Sequence, residues 1–199
     1  MNLSKEVLSR FYIAEKNSVS TIAKKLGCSE HKINYWLAEF KIPKRSISDS
    51  VYLYHNPKGD PFNIVTPQTN EESFLFGLGI GLYWGEGTKS NKNTVRLGNT
   101  DPKLVKKFIE FLLKICKIKK EKLRFGLQVF SDMSSKQALR FWQDELDMPK
   151  NQFFPTVVVT PARSLGTYRQ KTKYGVLTVY YGNKKLRDIL CQMVENMRY

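Results

Sequence analysis

Residues 77–87 read Gly-Leu-Gly-Ile-Gly-Leu-Tyr-Trp-Gly-Glu-Gly, an apolar run that ends on a single carboxylate, Glu86. Gly77, Gly81 and Gly85 recur once per helical turn. A glycine inside a helix costs about 1 kcal/mol relative to alanine, so three on one face require a compensating gain. The gain expected is a second backbone lying very close, where side chains would hold it away. A helix over residues 72–87 would then use Gly77, Gly81 and Gly85 as a packing face and deliver Glu86 to the shared seam.

The chain has 199 residues, enough for one sizeable domain or a small one joined to a medium one. It carries 33 Lys and Arg against 18 Asp and Glu, a formal charge of +15. Such an excess points to a polyanion, and nucleic acid is the commonest one. Cys28, Cys116 and Cys191 lie far apart with no metal-ligand spacing, which argues against zinc and for reduced thiols in an intracellular protein. Residues 1–10 hold no apolar run, so no secretory signal is expected. The longest apolar stretch, 73–85, is too short for a bilayer that needs roughly 20 residues. The expectation is a soluble cytoplasmic protein, associated with the nucleoid in a bacterium, with no membrane partner.

Residues 1–46 are patterned as three helices. The first spans Lys5 to Glu15, and the second is capped by Ser20 and carries Ile22, Ala23 and Leu26. Gly27 supplies the turn, Ser29 the next cap, and Glu30–Phe40 the third helix, with Ile33, Trp36, Leu37 and Phe40 on its inner side. The pattern Ser-x-x-x-Ile-Ala-x-x-Leu-Gly-Cys-Ser-x-x-x-Ile-x-x-Trp-Leu resembles the DNA-binding helix-turn-helix of bacterial regulators and resolvases. That resemblance implies a third helix in the major groove, with Lys32, Asn34 and Tyr35 toward base edges and Lys41, Lys44 and Arg45 toward phosphates.

Residues 47–70 hold Pro57, Gly59, Pro61 and Pro67 and read as a linker, in which His55 receives no role. The second domain, 71–199, opens with a capping box, Thr69 to Glu72. Strands are expected at 94–99, 123–130, 153–160 and 175–181, with helices at 101–116, 134–146 and 184–197, so the fold class is α+β. Phe125 and Tyr180 are expected in the core. Residues 89–124 hold twelve cations against three acids, and the arm 161–174 holds Arg163, Arg169, Lys171 and Lys173 with no acid. The arm's composition suits a nucleic-acid groove or phosphates.

Two glycine motifs are excluded. The glycines lie within a helix and are mis-spaced for a dinucleotide fingerprint, and Gly87-Thr88-Lys89 departs from the Gly-Lys-Ser/Thr of a P-loop.

Residues 79–87 resemble the LAGLIDADG motif of homing endonucleases: Gly81, Leu82, Gly85, Glu86 and the terminal Gly87 match. The departures are Trp84, where the family often carries Asp, and Glu86 in place of the final Asp. The downstream Arg-Leu-Gly-Asn-Thr-Asp-Pro, 96–102, is also similar to family members. The resemblance implies an α/β domain with an antiparallel DNA-binding sheet, two motif helices packed along their small faces, and paired acids that hold Mg²⁺ or, in its place, Mn²⁺. One motif means one acid per chain, so Glu86 is the catalytic and metal-binding candidate, a homodimer through the 72–87 helix completes the site, and no small-molecule cofactor is needed. Lys89, Arg96 and Gln128 are candidates for the supporting Lys, Arg and Gln of such sites.

The expected function is therefore sequence-specific binding of double-stranded DNA with divalent-metal-dependent phosphodiester cleavage. The alternative is a non-catalytic DNA-binding regulator that keeps the LAGLIDADG fold, similar to a bacterial sporulation regulator of that design. RNA processing draws little support.

Overall fold

The computed structural model describes residues 3–160 and 172–197. The chain forms two compact units, residues 1–60 and 61–199.

The first unit is helical. Helix α1, Lys5–Ser9, is capped by the Ser4 hydroxyl and runs into a wider turn over Arg10–Ala14, where the amide of Glu15 donates to the Arg10 carbonyl at 2.9 Å. Helix α2, Val19–Leu26, is capped by Ser18 rather than by Ser20, because the helix already begins at Val19 and the Ser18 hydroxyl accepts from the Thr21 amide at 3.0 Å. Gly27 adopts φ 61°, the left-handed geometry that a helix-ending turn favours. Helix α3, Glu30–Glu39, follows with Ser29 as its cap. Leu8, Tyr12, Ile22, Ala23, Ile33, Leu37 and Ile42 form the core.

The expected linker contains a helix. α4 spans Ile47–His55, and Ser46 caps it by accepting from the Asp49 amide while donating to the Asp49 carboxylate at 2.7 Å. The turn-forming prolines and glycine begin only at Pro57, so they end this helix without preventing it. It buries none of its residues: Ile47 is 86 % exposed and Tyr54 81 %.

The second unit is a mixed α+β fold. In chain order it comprises α5 (Asn70–Glu86), β1 (Val95–Asn99), α6 (Pro102–Lys114), β2 (Leu123–Phe130), α7 (Ser135–Leu146), β3 (Val157–Val159), β4 (Val176–Tyr181) and α8 (Lys184–Asn196). The strands lie in the order β1-β4-β2-β3. β4 pairs antiparallel with β1 and β2, whereas β3 pairs parallel with β2. The sheet is thus not wholly antiparallel. The segment joining β2 to β3 contains α7, and a helical crossover returns the chain in the same direction.

Alternation along the strands separates the two faces. Val95, Leu97, Leu123, Phe125, Leu127, Val129, Leu177, Val179 and Tyr181 are buried in a common core with Tyr83, Phe108, Phe111, Trp142 and Leu190 from the helices. Two polar side chains tie this core. Buried Gln152 donates to the carbonyls of Lys120 and Leu123, and the Trp142 indole donates to the Tyr174 carbonyl at 2.9 Å. No helix among the described residues is long and apolar enough to cross a membrane.

Candidate nucleic-acid interface

Helix α5 is apolar on two opposite sides. Leu75, Gly79, Ile80 and Tyr83 are buried on one. Gly79 sits so close to α6 that a Cβ there would lie 2.1 Å from Cγ of Phe111. The close approach inside the unit therefore uses Gly79, which stands outside the expected stripe. Gly77, Gly81 and Gly85 face away, with nothing within 4 Å of an added Cβ, and flank Phe74, 68 % exposed, and Trp84, 42 % exposed.

The helix begins with one half of the expected capping box, the Glu72 amide donating to the Thr69 hydroxyl at 3.1 Å, while the Glu72 carboxylate reaches one residue further back and accepts from the Gln68 amide at 2.8 Å. It ends on Glu86, which is exposed. A carboxylate at a helix C-terminus meets the negative end of the macrodipole, so a cation there is stabilising. Lys89 supplies one: its ammonium donates to the Trp84 carbonyl in the last turn and lies 6.0 Å from the Tyr83 ring centroid. Its own carbonyl accepts from the Arg187 guanidinium, which also bonds Asp188 at 3.0 Å. Burial raises the Asp188 carboxyl, but bonds from Lys184 and Arg187 outweigh it and hold the group below its usual range. Burial, reinforced by the Cys191 thiol 3.8 Å away, keeps the Tyr83 phenol protonated well beyond its normal range. Lys89 and Glu86 are thus brought to one end of one helix.

The open face of the sheet holds the second group. Tyr180 on β4 pairs in register with Arg96 on β1 and with Arg124 on β2, and the next row is Gly98, Thr178 and Gly126. The Arg96 guanidinium lies 5.0 Å from the Tyr180 ring centroid, and Phe154 meets that ring edge-on at 5.5 Å. A Cβ on Gly126 would come within 3.0 Å of Tyr180 Cε2, so the glycine makes room for the ring. Gln128 is exposed on β2, opposite Val176. Arg96 and Gln128 therefore share this face, whereas Lys89 belongs to the end of α5.

Tyr180 corrects the expectation of a core residue. Leu177, Val179 and Tyr181 point inward, so strand parity sends Tyr180 outward; Phe125 is buried as expected. The parity was available in the sequence, but the adjacent Tyr180 and Tyr181 disguise it. Arg124 and Thr178 lie on the same face.

In the first unit, α3 turns Ile33 and Leu37 inward and leaves Lys32 and Tyr35 exposed and Asn34 half-exposed. The Trp36 ring, stacked on Phe40 at 5.1 Å, meets Tyr35 edge-on. Lys41 and Lys44 are exposed. Arg45 is held by the fold instead: its guanidinium donates to the carbonyls of Lys16 and Asn17 and lies 4.2 Å from the Tyr12 ring centroid. Lys173 is exposed near the Tyr174 ring. Arg163, Arg169 and Lys171 lie outside the described residues.

Among the described residues, no three His, Cys, Asp or Glu side chains gather as a metal site within one chain. No family model, curated protein or solved structure matches this chain.

Proposed function

We propose that the protein binds double-stranded DNA and cleaves it as a homodimer with a divalent metal, in the manner of LAGLIDADG endonucleases. The observation that carries this reading is the uncovered face of α5: Gly77, Gly81 and Gly85 with open space above them, flanked by exposed Phe74 and Trp84 and ending on Glu86. A second copy laid along that face would cover the apolar surface and bring two Glu86 carboxylates together. The paired arrangement is isologous, so the preferred target is palindromic or nearly so.

The donor chemistry fits Mg²⁺ or Mn²⁺, since the end of α5 offers a carboxylate and backbone carbonyls and hard cations take oxygen ligands. When bound, the ion would activate water and stabilise the leaving oxygen. The chain's own parts bind and orient: Lys89 offsets negative charge at the helix end, the sheet presents Arg96 and Gln128, and α3 adds Lys32, Asn34 and Tyr35. The formal charge of +15 supports a phosphate backbone as the partner.

The alternative, a non-catalytic DNA-binding regulator, draws on the first unit. The exposed side of α3 suffices to read a duplex with no chemistry at Glu86. Incubating the protein and Glu86→Gln with a randomised duplex library and Mg²⁺ or Mn²⁺ separates the two. Cuts by the parent alone establish the nuclease. Binding without cuts by either eliminates the nuclease and favours the non-catalytic reading, and absence of duplex binding rejects both.

A further inference from the structure

Arg96 differs from every other cation on the sheet in how it is held. Its Nε donates to the Thr94 hydroxyl at 2.7 Å, and that hydroxyl donates in turn to the Asn91 side-chain oxygen at 2.9 Å. The Asn91 oxygen is itself fixed by the amides of Asn93 and Thr94 at 3.0 and 3.1 Å. The guanidinium carbon lies 5.0 Å from the centroid of the Tyr180 ring, which rests above Gly126 and meets Phe154 edge-on. The Nε end of the group is therefore held, while its two terminal nitrogens make no hydrogen bond among the described residues. Arg124, on the other side of Tyr180, is spent differently: its Nη1 donates to the carbonyls of Glu121 and Leu123, each at 2.7 Å.

A pinned guanidinium with an open terminal fork matches two coplanar acceptors at fixed spacing. The O6 and N7 atoms of guanine present that pair in the major groove. A phosphate also offers paired oxygens to such a fork, so only the surroundings of the fork separate a base edge from the backbone. Arg96 stands near the start of β1, an edge strand of the sheet, and Gly98 is next along the strand on the same face, so a base edge can approach closely from that side. We propose that Arg96 is a specificity-determining residue that reads a guanine in the duplex target, with Thr94 and Tyr180 as the residues that position it. This rests on the reading above that the sheet contacts double-stranded DNA.

The test is a selection of bound duplexes from a randomised library, run with the full chain in chelator so that no cutting occurs, on the parent, Arg96→Lys and Thr94→Val. The parent should enrich guanine at a fixed position. Arg96→Lys, which keeps the charge, should lower that preference about tenfold or more, the scale of one bidentate base contact. Thr94→Val lies at the strand's start and should lower it several-fold with little change in affinity for unrelated duplexes. An unchanged guanine preference in both variants overturns the assignment alone. So does a uniform loss of affinity with the preference intact, which marks a phosphate contact. A parent that binds no duplex overturns the DNA reading itself.

Discussion

A Cβ atom on Gly79 would fall 2.1 Å from Cγ of Phe111, whereas one on Gly81 would meet nothing within 4 Å. Two glycines two residues apart on the same helix thus stand in different surroundings. Gly79→Ala should destabilise the second unit by about 1–3 kcal/mol, the usual range for overpacking. Gly81→Ala should leave an isolated chain as stable or up to about 1 kcal/mol more so, since alanine is the better helix former. Urea unfolding followed by far-ultraviolet circular dichroism distinguishes them.

Gly81→Leu tests the other side of that helix. The unit should keep its fold, because the added side chain enters open space, yet lose both self-association and metal-dependent cleavage. Sedimentation and a nicking assay on the same preparation would read the two losses together.

Lys44 is exposed, whereas its neighbour Arg45 is held by the fold. Arg45→Ala removes hydrogen bonds to the carbonyls of Lys16 and Asn17 and the contact with Tyr12, and should cost the first unit about 1–3 kcal/mol. Lys44→Ala should leave the melting temperature unchanged while lowering duplex affinity and reducing the salt slope by about 1. Thermal melts paired with binding titrations at several salt concentrations check both.

Cys116 should set an alkaline limit. Burial pushes its thiol up to about 12 from an ordinary 9.0. In the unfolded chain the thiol ionises near its ordinary value, so its contribution to stability is complete below about pH 9 and declines as the pH rises toward 12. Between pH 8 and pH 10.5 the parent should therefore lose more of its urea midpoint than Cys116→Val does. The same burial should leave Cys116 unalkylated in the native protein.

The sequence announced its helices best where a cap and a period agree. Thr69 with Glu72, Ser29 and Ser134 each open a helix where expected, because one hydroxyl and a repeat of three and four residues suffice to define it. Helix α4 is hard to read from sequence because nearby prolines and glycine outweigh Ser46 and Asp49, and its exposed apolar residues give no buried period. The parallel placement of β3 depends on a crossover through α7, which no local pattern encodes. At the site, the glycine stripe and Glu86 were readable from spacing. The row of Arg96, Tyr180 and Arg124 was not, since it arises from pairing between strands far apart in the chain.

The pairing of two α5 helices along their glycine face is tested most directly by a cysteine at its centre. In a chain with Cys28 and Cys191 changed to serine, Gly81→Cys would place two thiols across the seam, where close helices bring Cα atoms within the roughly 4.4–6.8 Å that a disulfide spans. Mild oxidation should convert the 23.1 kDa chain to a covalent dimer of twice that mass, with the fold retained. A folded protein that stays at the mass of one chain under the same oxidation would contradict the shared seam, and with it the paired carboxylates.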